Sequence, residues 1–390
     1  MCSSILEAAG YTCGLYTSPH LLRWKERITL AGKEIPEGDI LPHMDRILQL
    51  VEGKKPQDYS GLEEPTFFEL TTLLAFLVFR HLGCNSQVIE TGLGGRLDST
   101  NILVPDVTVI TPIELEHTQF LGDTIEKIAF EKAGIIKKGK ILCVSEQKAK
   151  AMEVIWTRAK ELDAPTFVVG KDVLISDEQT DIQGTSCRLS PVKGSFSRLS
   201  SIIPQDGIIV RSPLAGLVQA KNMALAALAC ASTIEPVTVH AIQEGLSAAS
   251  LPARFEIVQK KPYVVLDGAH TPDSIRLTLD TMNSLFPGGK ILLFACAHDK
   301  KHKEMAQILS PHFLQTIITR PGTFKASVPD EVFESFSNTN SDSRLVPDTE
   351  EAIRMAIQEA GKRDCPLLVT GSFYLCAEVK SMLKGSGQGL

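Results

Sequence analysis

Two α/β domains, each built on a mostly parallel sheet, form the fold class that this sequence predicts. Short apolar runs rich in β-branched residues alternate with longer helical patterns, the signature of βαβ units. The chain has 390 residues, which at the rough rule of about 150 per domain suggests two or three domains. Pro236, Pro252 and Pro262 punctuate the text between a first alternation and a second. The boundary is therefore expected near Leu251, giving domains over 1–250 and 251–390, the second smaller and Rossmann-like.

Met1 to Glu7 reads as the middle of a helix. Strands are expected at Cys13–Tyr16, Gln87–Ile89, Val107–Thr111 and Ile141–Val144. Thr66 opens a helix with Glu69 three residues on, a capping box, and Gly83 stops it. A further helix is expected from Asp123, with Glu126 in the reciprocal position, to Gly134. From about Asp172 to Pro213 the text turns rich in Ser, Gly and Gln and predicts hairpins or a meander, then a helix over about Gln219–Ser232. In the second domain, strands at Tyr263–Leu266, Ile291–Phe294, Gln315–Thr319 and Leu367–Thr370 alternate with helices around Ser274–Phe286 and Glu350–Gly361. The text holds no internal repeat, and its one low-complexity piece is the Gly/Ser tail after Lys384.

Composition excludes several classes. Charged residues at 22% and hydrophobic ones at 43% are those of a globular protein. The net charge is −6 and no basic patch interleaved with aromatics occurs, so no nucleic-acid partner is expected. Apolar runs such as Leu73 to Phe79 fall far short of the roughly 18 residues of a membrane span. Nine scattered cysteines without a C-x-x-C pair fit reduced thiols and a cytoplasmic location.

In open α/β sheets functional groups gather past the carboxyl ends of strands. Three such junctions stand out: Tyr16-Thr17-Ser18-Pro19-His20, the glycine-rich run from Glu90 through Gly92, Gly94 and Gly95 to Asn101, and Thr111 through Glu116, His117 and Thr118. Several of these candidates, and Lys132 with them, also have a plainer reading. The glycines suit a tight turn and lack the full G-x-G-x-x-G spacing of a dinucleotide loop. His117 suits a loop histidine, and Lys132 a cation complementing a helix C-terminus.

Taken together the pieces resemble the folylpolyglutamate synthase and dihydrofolate synthase family of the Mur ligase superfamily. The resemblance rests on Leu15 to Leu21 with Glu26-Arg27-Ile28, Glu90 to Asn101, His117-Thr118 with Leu121-Gly122, and Glu131 to Ile136. It continues with Ala253 to Glu256, Leu266-Asp267-Gly268-Ala269-His270 and Val369 to Leu375, so it covers nearly the whole chain.

The resemblance implies an ATP-dependent ligase that phosphorylates a folate or dihydropteroate carboxylate and passes the acyl group to the amine of L-glutamate. It implies ATP and Mg2+, bound in a cleft between the domains, and a chain working as a monomer. Glu90 and His117 match magnesium ligands, and Ser18 a residue beside the other metal. Lys132 matches a lysine that becomes carbamylated, so Lys132, His117 and Glu90 are the catalytic candidates. Arg254, Asp267 and His270 match nucleotide contacts, and Gln219 and Asn222 an element at the adenine end.

Three departures accompany the match. Val218 stands where the family usually has His, and Thr271 where Asn usually follows the histidine. The third is the phosphate loop: no Gly-Lys pair here is followed by Ser or Thr. The chain is therefore expected to be a family member without its first strand and loop, inactive as residues 1–390 alone. The rival reading is a non-catalytic remnant that keeps folate or partner binding. A nicotinamide oxidoreductase built on the Gly92 turn lacks the acidic ribose contact at a second strand end.

Overall fold

The structure, a computed structural model, describes residues 1–61, 63–194, 197–233, 236–322, 326–339 and 342–385. The end of the Gly/Ser tail lies outside them. Two compact units emerge. The first comprises Met1–Asp177, Cys187–Arg211 and Lys221–Ala249, the second Glu178–Ser186, Ser212–Ala220 and Ser250–Leu390. A boundary read along the sequence does not foresee that two short earlier segments group with the second unit.

The first unit begins with α1 (Cys2–Ala8), β1 (Cys13–Tyr16), β2 (Ile28–Leu30), β3 (Lys33–Glu34), α2 (Glu37–Val51), α3 (Phe67–His81) and β4 (Ser86–Ile89). The strands order as β3-β2-β1-β4, with β1 antiparallel to β2 and parallel to β4. Tyr16, Ile28, Val78 and Phe79 are buried between this sheet and its helices. The capping box of α3 is formed: Thr66 N–H donates to Glu69 at 2.7 Å, and the Thr66 hydroxyl accepts from Glu69 N–H at 3.2 Å.

Next come β5 (Val107–Ile110), α4 (Thr118–Leu121), α5 (Ile125–Ala133), β6 (Ile141–Val144), α6 (Ala149–Glu161) and β7 (Thr166–Val168). The parallel sheet β5-β6-β7 packs Ile110, Leu142 and Val144 against Ile128 and Ile155 of the helices. Among the described residues β4 pairs only with β1, and β5 only with β6, so each sheet ends there in a strand with one unpaired edge. The cap of α5 is Thr124 rather than Asp123. The Thr124 hydroxyl accepts from Lys127 N–H, while Asp123 pairs with Lys127 Nζ at 2.8 Å and Glu126 with Lys150 at 2.8 Å.

The meander is β8 (Val173–Asp181), β9 (Gly184–Pro191) and β10 (Ile208–Ser212), in the order β10-β9-β8, with α7 (Ser197–Ile202) before its last strand. Then follow α8 (Gln219–Ala231) and α9 (Val239–Ser247). Among the helices expected from the sequence, none covers α9, nor α2 or α6. Gly245 lets α9 lie against α1: a Cβ there would stand 2.3 Å from the Cα of Ile5.

The later segments form β11 (Glu256–Lys260), β12 (Tyr263–Leu266), α10 (Pro272–Leu285), β13 (Ile291–Phe294), α11 (His302–Leu309), β14 (Gln315–Ile318), α12 (Pro329–Ser337), β15 (Ser343–Leu345), α13 (Thr349–Lys362), β16 (Leu367–Thr370) and α14 (Phe373–Gly385). The sheet runs β11-β12-β16-β13-β14-β15, parallel except for β11 at its edge. Strands β13, β14 and β16 are buried throughout, as a sheet covered on both faces requires. Among the described residues no helix is long and apolar enough to cross a membrane.

Candidate functional site

In the first unit the carboxyl ends of β1 and β4 are joined by a carboxylate. Glu90 follows β4 and accepts the backbone N–H of Ser18 at 2.8 Å. The Ser18 loop is itself wrapped around Glu26, whose carboxylate accepts from the N–H groups of Leu21, Leu22 and Arg23 at 2.7 to 3.2 Å. Arg27 Nε donates to His20 Nδ1 at 2.8 Å, and burial together with that guanidinium holds the His20 imidazole below its usual range.

The glycine-rich turn is a packing device. The Gly92 and Leu93 N–H groups donate to Asp98 Oδ2 at 3.0 and 2.9 Å, so these amides already serve a carboxylate of the turn itself. A Cβ on Gly95 would lie 2.9 Å from the carbonyl oxygen of Glu131 and 3.0 Å from that of Lys132. One on Gly134 would lie 2.4 Å from Arg96 Cβ, and one on Gly94 2.8 Å from Leu121. The last turn of α5 and the end of α4 thus press directly onto this turn. Arg96 locks the approach: its N–H donates to Glu131 O at 2.8 Å and its guanidinium pairs with the Glu131 carboxylate at 3.0 Å.

Lys132 is thereby half-buried, and that burial pushes its ammonium down, opposed in part by the Glu116 carboxylate. Glu116 belongs to the third junction, where exposed His117 adopts left-handed φ 53° and ψ 36° and caps α4 through its carbonyl. The structure therefore brings Ser18 to Glu90, and Lys132 to the loop of Glu116 and His117, around one turn. Sequence reasoning placed Glu116 at this junction but gave it no role, although a carboxylate beside the histidine was the signal.

In the second unit Asp267 directly follows β12. It is 8% exposed, and accepts from Phe255 N–H at 2.8 Å and Ala269 N–H at 2.9 Å. Burial raises its pKa from the usual carboxylate value, against the pull of the Ala269 amide and Arg254. Ala253 and Phe255, either side of Arg254, both hold positive φ, 53° and 49°. For residues with a Cβ this conformation is costly and persists only where neighbours impose it. Glu256 does so by accepting Ala253 N–H at 2.9 Å, Asp267 by accepting Phe255 N–H. The guanidinium of Arg254 lies 4.6 Å from the centre of the Phe373 ring, and His270 packs edge-on against the same ring. His270 Nδ1 sits 2.8 Å from Gly268 O.

Gln219 is buried at the start of α8 and Asn222 half-buried one turn on. A cavity of about 530 Å³ past β14, lined by Arg320, Ser327, Asp330 and Glu331, was also missed. The rule that directs attention to strand ends in the first domain applies equally to β14.

Two family descriptions match the chain: the Mur ligase middle domain over residues 50–231 and the Mur ligase glutamate ligase domain over residues 253–373. The dihydrofolate synthase/folylpolyglutamate synthase of Bacillus subtilis is 31% identical over 98% of this chain and 86% of its own length. The chain belongs to this synthase family. It is an ATP-dependent ligase of that type. Mycobacterium tuberculosis folylpolyglutamate synthase, solved with ADP and AMPPCP, superposes with a TM-score of 0.86 at 26% identity, over 98% of this chain and 87% of that one. Escherichia coli FolC, solved with DHPP and ADP, gives 0.82 at 28% identity over 99% and 85%.

Proposed function

We propose that the protein joins L-glutamate to a folate, to dihydropteroate, or to both, with consumption of ATP. The observation that carries the reading to the chemistry is Lys132, a lysine of depressed basicity seated by the glycine turn beside Glu116 and His117. Relatives matched along almost the whole chain are synthases, which favours the ligase over a binding-only remnant.

The acceptor's carboxylate oxygen attacks the γ-phosphorus of ATP, the bond to the bridging oxygen breaks, and ADP leaves an acyl phosphate. The glutamate amine then attacks the acyl carbon, phosphate departs from the tetrahedral intermediate, and an amide remains. An anion attacks an anion in the first step, so positive charge has to lie between them.

Among the described residues no three His, Cys, Asp or Glu side chains form a metal cage. Magnesium typically takes one or two carboxylates and fills its other positions with water and phosphate oxygens. Glu90, a carboxylate at a strand end, fits that shared mode, and the family pattern assigns Ser18 and His117 beside it. When bound, the ion screens the phosphate charge. Lys132 adds to the oxygen set as a carbamate: its neutral amine, favoured by burial, attacks CO2, loses a proton and becomes an anion. Arg254, Asp267, His270, Gln219 and Asn222 serve the nucleotide, Arg254 as the cation and Asp267 as the group that holds the Arg254 turn in shape. Residues 1–250 act as the ATP- and folate-binding domain and 251–390 as the glutamate ligase domain. We place the protein in the cytoplasm, acting as a monomer without nucleic acid.

The test is ADP release by the purified protein with ATP, magnesium and either dihydropteroate or a reduced folate. Release that depends on both acceptor and glutamate is expected, against the inactivity inferred from the lack of a Gly-Lys-Ser or Gly-Lys-Thr run, because the relatives matched along almost the whole chain are synthases. ADP release indifferent to glutamate would overturn the reading.

A further inference from the structure

We propose that Gln147 is a positioning residue whose side-chain carboxamide extends the β5–β6 ladder and fixes the loop carrying Glu116 and His117. The inference concerns the Lys132 site and takes its catalytic meaning from the ligase reading. The two parallel strands pair from Val107 with Ile141 to Ile110 with Val144, and Ser145 N–H donates the next bond to Ile110 O at 3.0 Å. Beyond this point the chain leaves the ladder for α6. The Gln147 side chain continues it: Oε1 accepts the N–H of Ile113 at 3.0 Å, and Nε2 donates to the carbonyl of Thr111 at 2.8 Å.

A carboxamide has one accepting and one donating side, as a peptide group has, so it can take the place of the missing rung. Glutamate could not donate when ionised, methionine offers no comparable pair, and asparagine is one methylene too short. Two neighbouring contacts reinforce the clamp: Lys148 pairs with Glu114 at 2.5 Å, and the Ile113 side chain is buried in the core. The loop between β5 and α4 has no ladder of its own, and it ends in the left-handed backbone of His117. A residue with a Cβ adopts that conformation when its surroundings impose it. A side chain that pins the loop at Thr111 and Ile113 supplies such an imposition four residues upstream.

The experiment compares the full chain with its Gln147→Met variant by amide hydrogen exchange over residues 111–118, thermal unfolding, and the magnesium dependence of ADP release. The clamp requires exchange over 113–118 to quicken by about tenfold, roughly the effect of one lost hydrogen bond, with Tm within a few degrees of the parent. Positioning requires half-saturating magnesium to rise by a similar factor while kcat falls less. Unchanged exchange would overturn the clamp, and faster exchange with an unmoved magnesium requirement would overturn the positioning role. Should Gln147→Met not fold, Gln147→Ala removes both bonds from this half-buried position and is read in the same way. Exchange does not depend on turnover, so a parent without glutamate-dependent ADP release would refute the ligase reading and leave the clamp to be judged by exchange.

Discussion

Lys132 in the first unit and Asp267 in the second both stand beside glycine-rich text, and the glycines do different things for them. Around Lys132, Gly94, Gly95 and Gly134 let three backbone segments touch, and the lysine is placed by the absence of side chains. Around Asp267, Gly268 makes room for the Phe373 ring, while two amides donated to the carboxylate hold the neighbouring turn in a strained shape. One site is shaped by steric exclusion and the other by a buried charge. Exclusion leaves a basic group poorly solvated and chemically adjustable, which suits a reacting lysine. A buried carboxylate holding backbone amides is rigid, which suits a nucleotide contact.

Removing the adjustable group should have the largest effect. Lys132→Ala is expected to lower glutamate-dependent ADP release by about 10³-fold, the upper range for losing one electrostatic group in an active site. Short carboxylic acids, added to supply the missing oxygens, should restore part of it. Full activity of the parent in CO2-free buffer, with no carbamate signal by 13C NMR, would remove the carbamate and with it the contrast between the sites.

Glu90→Gln and His117→Ala come next, with losses of about 10² expected at saturating magnesium. Near-normal turnover in either would show that the corresponding strand-end group does not serve the phosphates. Gly95→Ala tests exclusion itself. Its Cβ would meet two backbone carbonyls of α5, which cannot swing aside as a flexible side chain can. A loss of about 1–3 kcal/mol in unfolding free energy is expected, with reduced activity because Lys132 must shift. An unchanged Tm and kcat would mean that α5 yields easily.

Strands β1, β4, β5, β6, β12, β13, β14 and β16 and helices α3, α5, α8, α10 and α13 were legible because period and capping are local signals, as Thr66 with Glu69 illustrates, whereas short or edge strands such as β2, β3, β7, β11 and β15 carry too little pattern. Where two local signals competed, at Asp123 and Thr124, the hydroxyl took the amide because Lys127 engages the carboxylate. The site was legible only in part. Glu90, His117 and Lys132 stood out through the family pattern, yet the reason for the glycines, contact with a helix some forty residues on, is a tertiary fact. Glu116 gains meaning only once α5 brings Lys132 beside it. The strain at Ala253 and Phe255 was invisible, since neither residue advertises a left-handed backbone.

The smallest effect concerns the sign of a titration. Burial raises the pKa of Asp267 above its unfolded value, so folding favours the protonated form. The stability it contributes is fully present below the unfolded carboxylate pKa and is lost as pH rises through the folded one. Asp267→Asn carries no titrating group, but its NH2 faces one of the amides that the carboxylate accepts, so the variant is expected to be less stable at every pH. The Tm of the parent minus that of the variant should therefore be largest near pH 3 and shrink as pH rises through the folded carboxyl's pKa. A difference that grows with pH would mean that the two amides and Arg254 outweigh burial. Asp267 would then stabilise the fold as a charge, and the second site would be held by attraction alone.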